Sequence, residues 1–555
     1  MGISIYAYVD CHAIDDERWE AVYLTSLQLL EQFPGPLARR IHEDVGRFQR
    51  LVVTKNIVRG VDSPEERWEI DRELGSGRSA EPFVLYRHLD YYRKRIEYFR
   101  GKPRESTGDI LRPPPRADGK EPEWYDVGGY GVFDSKTQGY PYHYAVLAVG
   151  MLLESSFPRH ALVRGDITRR QAEQTADWAT AVLGRRLPLP VIVDGPRLWK
   201  RLTEAFSASD PLDTIDRFRM LLVGDDEAAL RALDEAHADP QAVRHVYLKE
   251  LNRYRSLDQH GARDLIRAVC NADGDLARVI DWVCGPRDAA TEQDSDKQAT
   301  TGRFPPEDLL KALCDSFITV PLYEREVLQS FRLPPDSLAN IEEMIGQVLL
   351  MMSGMPTAVD WYMDEEQLLA EFVRRWPERE QDLAHVLREN LEKVDRLREQ
   401  LRLVSERLEE LTDEMSDKEP VWEASADDQD FQTAAEFIHA EILRQRENFA
   451  ELEDAVRELG QQLQPALRKN DELRKSLESS NRRKTLDHLY HASFENGIAL
   501  PEEIWQEIDR LQDLEVLHAL LLLMMCPERE IGFWRSRQRL LESPDLWPLL
   551  TGRAP

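Results

Sequence analysis

The sequence predicts a predominantly α-helical multidomain protein, in which an N-terminal α/β (α+β) domain precedes helical domains and an antiparallel coiled-coil hairpin. Three observations lead to this fold class. The chain has 555 residues, several times the usual size of one domain. Apolar residues alternate with a period of two near the start, whereas later they recur at helical spacing. Two long stretches in the second half have the spacing of a coiled coil.

The N-terminal domain is predicted to span residues 1–206. Its first strand is indicated by apolar residues at every second position: Ile3, Ile5, Ala7 and Val9. A helix is predicted next, because Asp15 or Asp16 can cap it and apolar residues then recur at helical spacing until Pro34. A second strand is predicted over 51–54.

The later part of this domain has a β-α-β-like alternation. Residues 144–153 form a continuous apolar run typical of a buried helix, and 160–163 are predicted to be a short strand. Thr168 and Gln171 have the spacing of a capping box, which predicts the start of another helix. Residues 188–193 are predicted to be a further strand.

The rest of the chain divides by composition and spacing. Residues 285–304 contain almost no large apolar side chain, which predicts a flexible linker. The other predicted segments are a helical domain at 207–284, a second helical domain at 305–376, a long helical hairpin or coiled coil at 377–480 with an acidic flexible tip at 412–430, and a C-terminal helical segment at 481–555.

The hairpin prediction depends on two apolar stripes of similar length. In the first arm the stripe has 4-3-4-3-4 spacing: Leu397, Leu401, Val404, Leu408, Leu411 and Met415. The second arm covers about residues 433–464, where Pro465 interrupts it. We expect the arms to pack antiparallel within one chain. The alternative is a coiled coil that joins two chains into a homodimer.

The predicted tip between the arms is strongly acidic. It contains eight acidic residues and one basic residue, Lys418, so it cannot continue an apolar stripe. Met415, Lys418 and the isolated apolar pair Val421 and Trp422 are interpreted as an exposed linker. Such a linker is accessible to a peptide-binding partner or to a protease.

Composition narrows the function classes. Hydrophobic residues make up 42% of the chain and charged residues 31%, which is typical of globular proteins. The net charge of -30 disfavours nucleic acid and anionic membranes as partners. The five cysteines include no C-x-x-C pair, so a reducing cytoplasmic location without disulfides is expected. The start resembles no secretory signal, and no apolar block reaches the ~20 residues of a membrane span. No metal or cofactor is predicted.

Four residues in the N-terminal domain are weak catalytic candidates. Cys11 and His12 follow the first strand, where a cysteine beside a histidine could act as a nucleophile. Asp166 and Asp194 each follow a predicted strand, so their carboxylates could converge in an acid-base or metal site. The alternative is a buried structural cysteine and two aspartates that form turns.

Residues 87–104 combine basic and aromatic side chains. Such a mixture can bind single-stranded nucleic acid, or it can dock on an acidic segment of this chain or of a partner. The candidate binding residues are Arg87, Tyr91, Tyr92, Arg93, Arg95 and Tyr98.

These patterns favour a non-enzymatic intracellular interaction or regulatory protein, which binds protein partners through its hairpin and its N-terminal domain. The absence of a complete catalytic motif supports this hypothesis. Two alternatives stay open: an enzyme with its active site in the N-terminal domain, and a nucleic-acid-associated factor that uses residues 87–104.

Overall fold

The computed structural model of the chain is mostly helical, with its strands concentrated in the N-terminal region. It forms two compact units, of which unit 1 comprises Met1–Val193 together with Asp427–Pro555, and unit 2 comprises Asp194–Ala426. The structure describes residues 3–74, 78–100, 108–112, 128–206, 211–285, 304–325, 359–414, 434–447, 481–525, 537–538 and 540–551.

The N-terminal part of unit 1 alternates strands and helices. In chain order its elements are β1 (Ser4–Val9), α1 (Asp16–Glu31), β2 (Leu37–Val45), β3 (Phe48–Thr54), β4 (Val58–Arg59), β5 (Arg67–Glu73), β6 (Arg78–Tyr86), α2 (Leu89–Arg100), β7 (Tyr130–Lys136), α3 (Tyr142–Ser156), β8 (Ala161–Gly165), α4 (Arg169–Leu183) and a 3₁₀ turn (Val191–Val193).

The first sheet has β1 at its centre, between β7 and β8, and both neighbours are antiparallel to it. Ile5, Ala7 and Val9 are buried, so the period-two pattern predicted the correct strand and the correct buried face. The sheet packs against α3, whose described side chains are almost all buried. The predicted buried helix is therefore confirmed, and it forms the centre of this core.

The second sheet has the strand order β4-β5-β2-β3-β9, with β6 paired to β5. Here β9 (Ala499–Pro501) comes from the far end of the chain and lies parallel to β3. The sequence predicted only β3 from this sheet, because charged residues on β2 and β5 obscure the alternation of apolar positions.

Local signals fixed several element boundaries. Asp15 caps α1 by accepting a hydrogen bond from the Arg18 amide, and Thr168 and Gln171 form the predicted capping box at the start of α4. The strand predicted over 188–193 is absent, and a 3₁₀ turn takes its place. Two prolines, Pro188 and Pro190, explain the difference, since neither can donate a ladder hydrogen bond.

Unit 2 is built from helices. They are α5 (Gly195–Ala205), α6 (Pro211–Leu221), α7 (Asp226–Glu235), α8 (Pro240–Leu251), α9 (His260–Asp273), α10 (Leu276–Cys284), α11 (Pro306–Asp315), α12 (Glu365–Arg375) and α13 (Glu380–Glu414), with a 3₁₀ turn (Pro377–Arg379) before α13. Aspartate side chains cap five of the helices that the structure describes here: Asp194, Asp225, Asp239, Asp275 and Asp364.

The C-terminal part of unit 1 contains α14 (Ala434–Glu447), α15 (Arg482–Glu495), β9, α16 (Glu502–Arg510), α17 (Leu514–Met525) and a 3₁₀ helix (Pro544–Thr551). Leu500, Trp505 and Leu517 belong to the apolar core that these elements share with Val52 of β3. Both ends of the chain therefore complete one unit. The sequence predicts residues 1–206 and residues 481–555 as separate segments, because it contains no local sign that β3 and β9 pair.

The two predicted hairpin arms correspond to α13 in unit 2 and α14 in unit 1. Residues 415–433, which include Met415, Lys418, Val421 and Trp422, lie outside the described part of the chain. Within the described residues, no helix is both long enough and apolar enough to cross a membrane.

Candidate functional site

The corner after β1 contains the candidate nucleophile, Cys11. Its side chain is buried, and its Sγ lies 3.6 Å from the Val9 carbonyl oxygen. Burial raises the pKa of the Cys11 thiol to about 12, and the neighbouring Asp10 carboxylate adds to the rise. Because the thiolate is the reactive form of cysteine, this thiol is held in its unreactive form at neutral pH.

Two histidines lie at the same corner. The Asp10 amide donates to the His160 carbonyl oxygen at 2.7 Å, and His160 Nδ1 is 3.8 Å from Asp10 Oδ2. His12 Nε2 and His160 Nδ1 are buried without a hydrogen-bond partner among the described residues. The adjacent cavity, lined in part by Asp10, Cys11 and His12, has a volume of about 10 Å³, so a single water at most would fit.

Asp166 lies at the opposite end of β1. Its Oδ2 accepts a hydrogen bond of 2.8 Å from the Ser4 amide, so the carboxylate connects the end of β8 to the start of β1. Asp10 follows Ser4 by six residues along an extended strand, which separates the two positions by ~20 Å at ~3.3 Å per residue. Asp166 therefore does not join Cys11 and His12 in one site.

Asp194 belongs to unit 2, where it caps α5. Its Oδ1 accepts a hydrogen bond of 3.2 Å from the Arg197 amide. The carboxylate of Asp194 therefore caps the N-terminus of α5 and does not form a carboxylate pair with Asp166. Among the residues that the structure describes, no group of three or more potential metal ligands is present.

Three of the six basic-aromatic candidates are committed to contacts within unit 1. Arg87 forms ion pairs with Glu20 of α1 and with Glu66, whose Oε1 is 3.0 Å from Arg87 Nη1. Arg93 Nη1 lies 2.9 Å from Asp16 Oδ1, and its Nε donates to the Cys11 carbonyl oxygen. Arg93 therefore fastens α2 to α1, whereas Arg87, just after β6, joins α1 to the residue before β5. The third residue is Tyr92, and its burial raises the pKa of its hydroxyl well above the usual value.

The other three candidates lie closer to solvent. Tyr91 stacks on Tyr86 with ring centroids 3.4 Å apart, and Arg95 Nη1 donates to the Tyr91 hydroxyl at 3.0 Å. Tyr98 is 84% exposed. Arg67 of β5 covers the other ring of this stack, with its guanidinium 5.2 Å from the Tyr86 centroid. The candidate surface therefore includes a strand residue that the linear segment 87–104 does not contain.

Arg50 is a central residue that sequence reasoning missed. It lies on β3 between two C-terminal aromatic rings, 5.4 Å from Tyr490 and 5.1 Å from Trp505. Its guanidinium also pairs with Glu43 at 2.7 Å and with Asp509 at 3.0 Å. The Tyr490 hydroxyl donates to the same Asp509 carboxylate at 2.5 Å. Arg50 thus joins the two chain ends of unit 1, a role that no local sequence signal indicates.

Comparison of the chain with family models, with curated proteins and with solved structures found no match.

Proposed function

We propose that this protein is a non-enzymatic interaction and regulatory protein, which binds a protein partner through its helical hairpin and its N-terminal domain. The observation that carries the proposal is the way the two arms are anchored. Each arm has its base packed in a different unit, and residues 415–433 connect them. A partner that binds this connection, or a protease that cuts it, acts on the link between the units.

The base of the first arm is held firmly. In the N-terminal half of α13, Leu383, Leu387 and Val394 are buried, and the helix packs on α11 and α12. Arg398 adds an ion pair with Glu324 at 2.8 Å. The helix has 35 residues and a length of ~52 Å. The stripe that begins at Leu397 can therefore bind a second helix while the base stays anchored.

The base of the second arm is held in unit 1. Phe437 lies 6.1 Å from the Tyr144 ring and 5.8 Å from the Arg170 guanidinium, and Ile438 is fully buried. We propose that the two arms then pack antiparallel, with the acidic tip as an exposed, protease-accessible linker. Pairing of the same stripes between two chains, which would give a homodimer, is the alternative arrangement.

The state of the catalytic candidates also supports an interaction role. The thiol of Cys11 has a strongly raised pKa, Asp166 accepts a backbone amide and Asp194 caps a helix. A working nucleophile or acid-base pair needs an activated group with a partner in hydrogen-bond reach. The cytoplasm, which keeps thiols reduced, is the compartment we propose for such a protein.

The test is affinity capture of the full-length chain from its native extract at moderate salt, with mass spectrometry of the bound proteins. A double variant, Leu401→Lys with Leu408→Lys, disrupts the apolar stripe. The control variant, Glu399→Gln with Arg402→Gln, removes an exposed ion pair on the same arm. A stoichiometric partner that binds the wild type and the control but not the stripe variant supports the proposal.

Two outcomes of this experiment count against the proposal. A partner-free wild-type protein would shift attention to the enzyme alternative and to variants at Cys11, Asp166 and Asp194. Equal capture by all three proteins would exclude the stripe as the binding surface. Light scattering on the same samples distinguishes a monomeric hairpin from a homodimer.

A further inference from the structure

An open groove of unit 1 lies where the turn between β2 and β3 meets α15. Gly46, with a φ of 64°, and Arg47 form this turn, since Val45 pairs directly with Phe48. The helix packs on β3, and residues of its last turns line the groove together with the turn. The groove has a volume of about 510 Å³, which is within the usual range of ligand pockets. It is therefore large enough for a side chain of a partner.

Three aromatic rings line the groove. Phe48 comes from the start of β3, and His491 and Phe494 are three residues apart on α15. The ring centroids of Phe48 and His491 are 6.2 Å apart. Both phenylalanines are half-buried, because each also packs on one of the apolar cores that join β3 to β9. The cores thus fix the two phenyl rings, and the part of each ring that they leave uncovered borders the groove.

Two exposed carboxylates lie beside these rings, Asp44 near the end of β2 and Glu495 at the end of α15. Glu495 follows His491 by four residues, so both project from the same face of the helix. The last turn of α15 contains no basic residue, and the negative end of the helix dipole adds to the charge of Glu495. Asp44 accepts a hydrogen bond of 2.9 Å from Gln49 Nε2, which orients its carboxylate. The groove therefore favours a positive charge.

Arg47 is the only arginine or lysine among the described residues that line the groove. Its guanidinium lies 4.9 Å from the centroid of the Phe48 ring, and it forms no ion pair with any described residue. Asp44 and Glu495 carry two negative charges against this one positive charge, so the lining is negative overall when His491 is neutral. The whole chain has a net charge of -30. Both the local and the overall field therefore attract a basic ligand.

We propose that this groove binds an arginine side chain from a basic segment of a protein partner. This rests on the proposed function, since it gives the partner of the N-terminal domain a chemical class. Arginine fits both features of the groove, because its planar guanidinium stacks on an aromatic ring and also donates hydrogen bonds to carboxylates. The incoming group would exchange with Arg47 on the Phe48 ring, and Arg47 is exposed and leaves no ion pair behind. A phosphate or a carboxylate would instead meet two negative side chains at the same place.

The test measures peptide binding to the full-length protein by fluorescence anisotropy. The probe is a labelled octapeptide that alternates arginine with glycine, and its references are two peptides with glutamine or glutamate in place of arginine. We expect the arginine peptide to bind and the two reference peptides not to bind. The affinity for the arginine peptide should fall as sodium chloride is raised, because salt screens the attraction between exposed charges.

Four variants show whether the groove is the binding site. Asp44→Asn and Glu495→Gln should each weaken binding of the arginine peptide about threefold to fivefold, because each removes one partly screened charge pair. Arg47→Gln should strengthen binding by about the same factor, because it removes the charge that competes for the Phe48 ring. The control is Glu503→Gln, which changes the net charge equally, since Glu503 is an exposed acid in the first turn of α16, outside the groove. The control should bind the peptide as the wild type does.

Thermal unfolding should show that all four variants keep the fold, since the substituted side chains are exposed. The proposal is overturned if the arginine peptide binds no better than the glutamine peptide, or if Glu495→Gln binds it as tightly as Glu503→Gln. Weaker binding by Arg47→Gln than by the wild type would also overturn it. These outcomes concern the groove alone, because the peptides are synthetic, whereas affinity capture with the stripe variant tests the proposed function.

Discussion

Replacement of Arg50 by methionine should weaken the association between the N-terminal and C-terminal parts of unit 1. Methionine keeps much of the length of the side chain, so the packing between the Tyr490 and Trp505 rings is largely retained. The substitution removes the ion pairs with Glu43 and Asp509. The Tyr490 hydroxyl remains as a donor to the Asp509 carboxylate.

The free energy that Arg50→Met should cost follows from how far the three charged side chains are buried. The Arg50 side chain is 9% exposed, whereas those of Glu43 and Asp509 are 43% and 36% exposed. Breaking a fully buried ion pair costs about 3–5 kcal/mol, but water screens these two carboxylates. We therefore expect a loss of about 2–3 kcal/mol, which corresponds to a factor of about 30–150 in an association constant.

The assay measures how strongly the two chain ends hold each other. The chain passes between the two units twice, after Val193 and after Ala426. A specific protease site inserted within residues 415–430 allows the purified protein to be cut near the second of these connections. We expect the fragments of the wild type to stay together, because α15 and β9 remain packed on β3. Dissociation of the cut protein in urea then gives the difference between wild type and Arg50→Met.

The matched control is Arg510→Met, which removes an exposed ion pair with Glu507 and should change the association by less than about 0.5 kcal/mol. If Arg50→Met dissociates at the same urea concentration as this control, Arg50 does not hold the chain ends together. Spontaneous separation of the cut wild type would refute the long-range β3–β9 union itself.

Three further predictions concern buried polar groups of unit 1. Glu154 accepts the amides of Val163 and Val191, so Glu154→Ala should lower the free energy of unfolding by about 3–5 kcal/mol in urea titrations, and Glu154→Gln by less. Cys11, with its thiol pKa raised to about 12, should react with iodoacetamide at pH 8 about 10³-fold more slowly in the native chain than in urea, as peptide mass spectrometry would measure. Burial lowers the pKa of His143 to about 4 from 6.5, so the unfolded state takes up the proton first. Stability should fall by about 3 kcal/mol as pH drops from 6.5 to about 4, and the fall should vanish in His143→Asn if this residue causes it.

Local patterns predicted the elements whose causes are local. The alternation of Ile5, Ala7 and Val9 identified β1 because one face of that strand is buried. The capping box at Thr168 identified the start of α4, because both of its hydrogen bonds join a side chain to a backbone amide within four residues. In each case the stabilising contacts lie within one turn or along one strand, so the sequence contains the necessary information.

Long-range pairings could not be predicted in this way. The contact of β9 with β3 joins residues more than 440 positions apart, and its signal at 499–501 is three residues long. The sequence predicts residues 87–104 as one binding segment only because these residues are adjacent in the chain. In the fold, Arg87 and Arg93 pair with acidic residues of α1, whereas Tyr91 stacks on Tyr86, the ring that Arg67 also contacts.

Three arginine side chains of low exposure show two kinds of charge compensation. The chain has 102 acidic and 72 basic residues, so a buried arginine has many carboxylates available. Arg50 and Arg219 each pair with two carboxylates. Arg325, buried in unit 2, instead donates to several backbone carbonyls, including those of Val320 and Trp361.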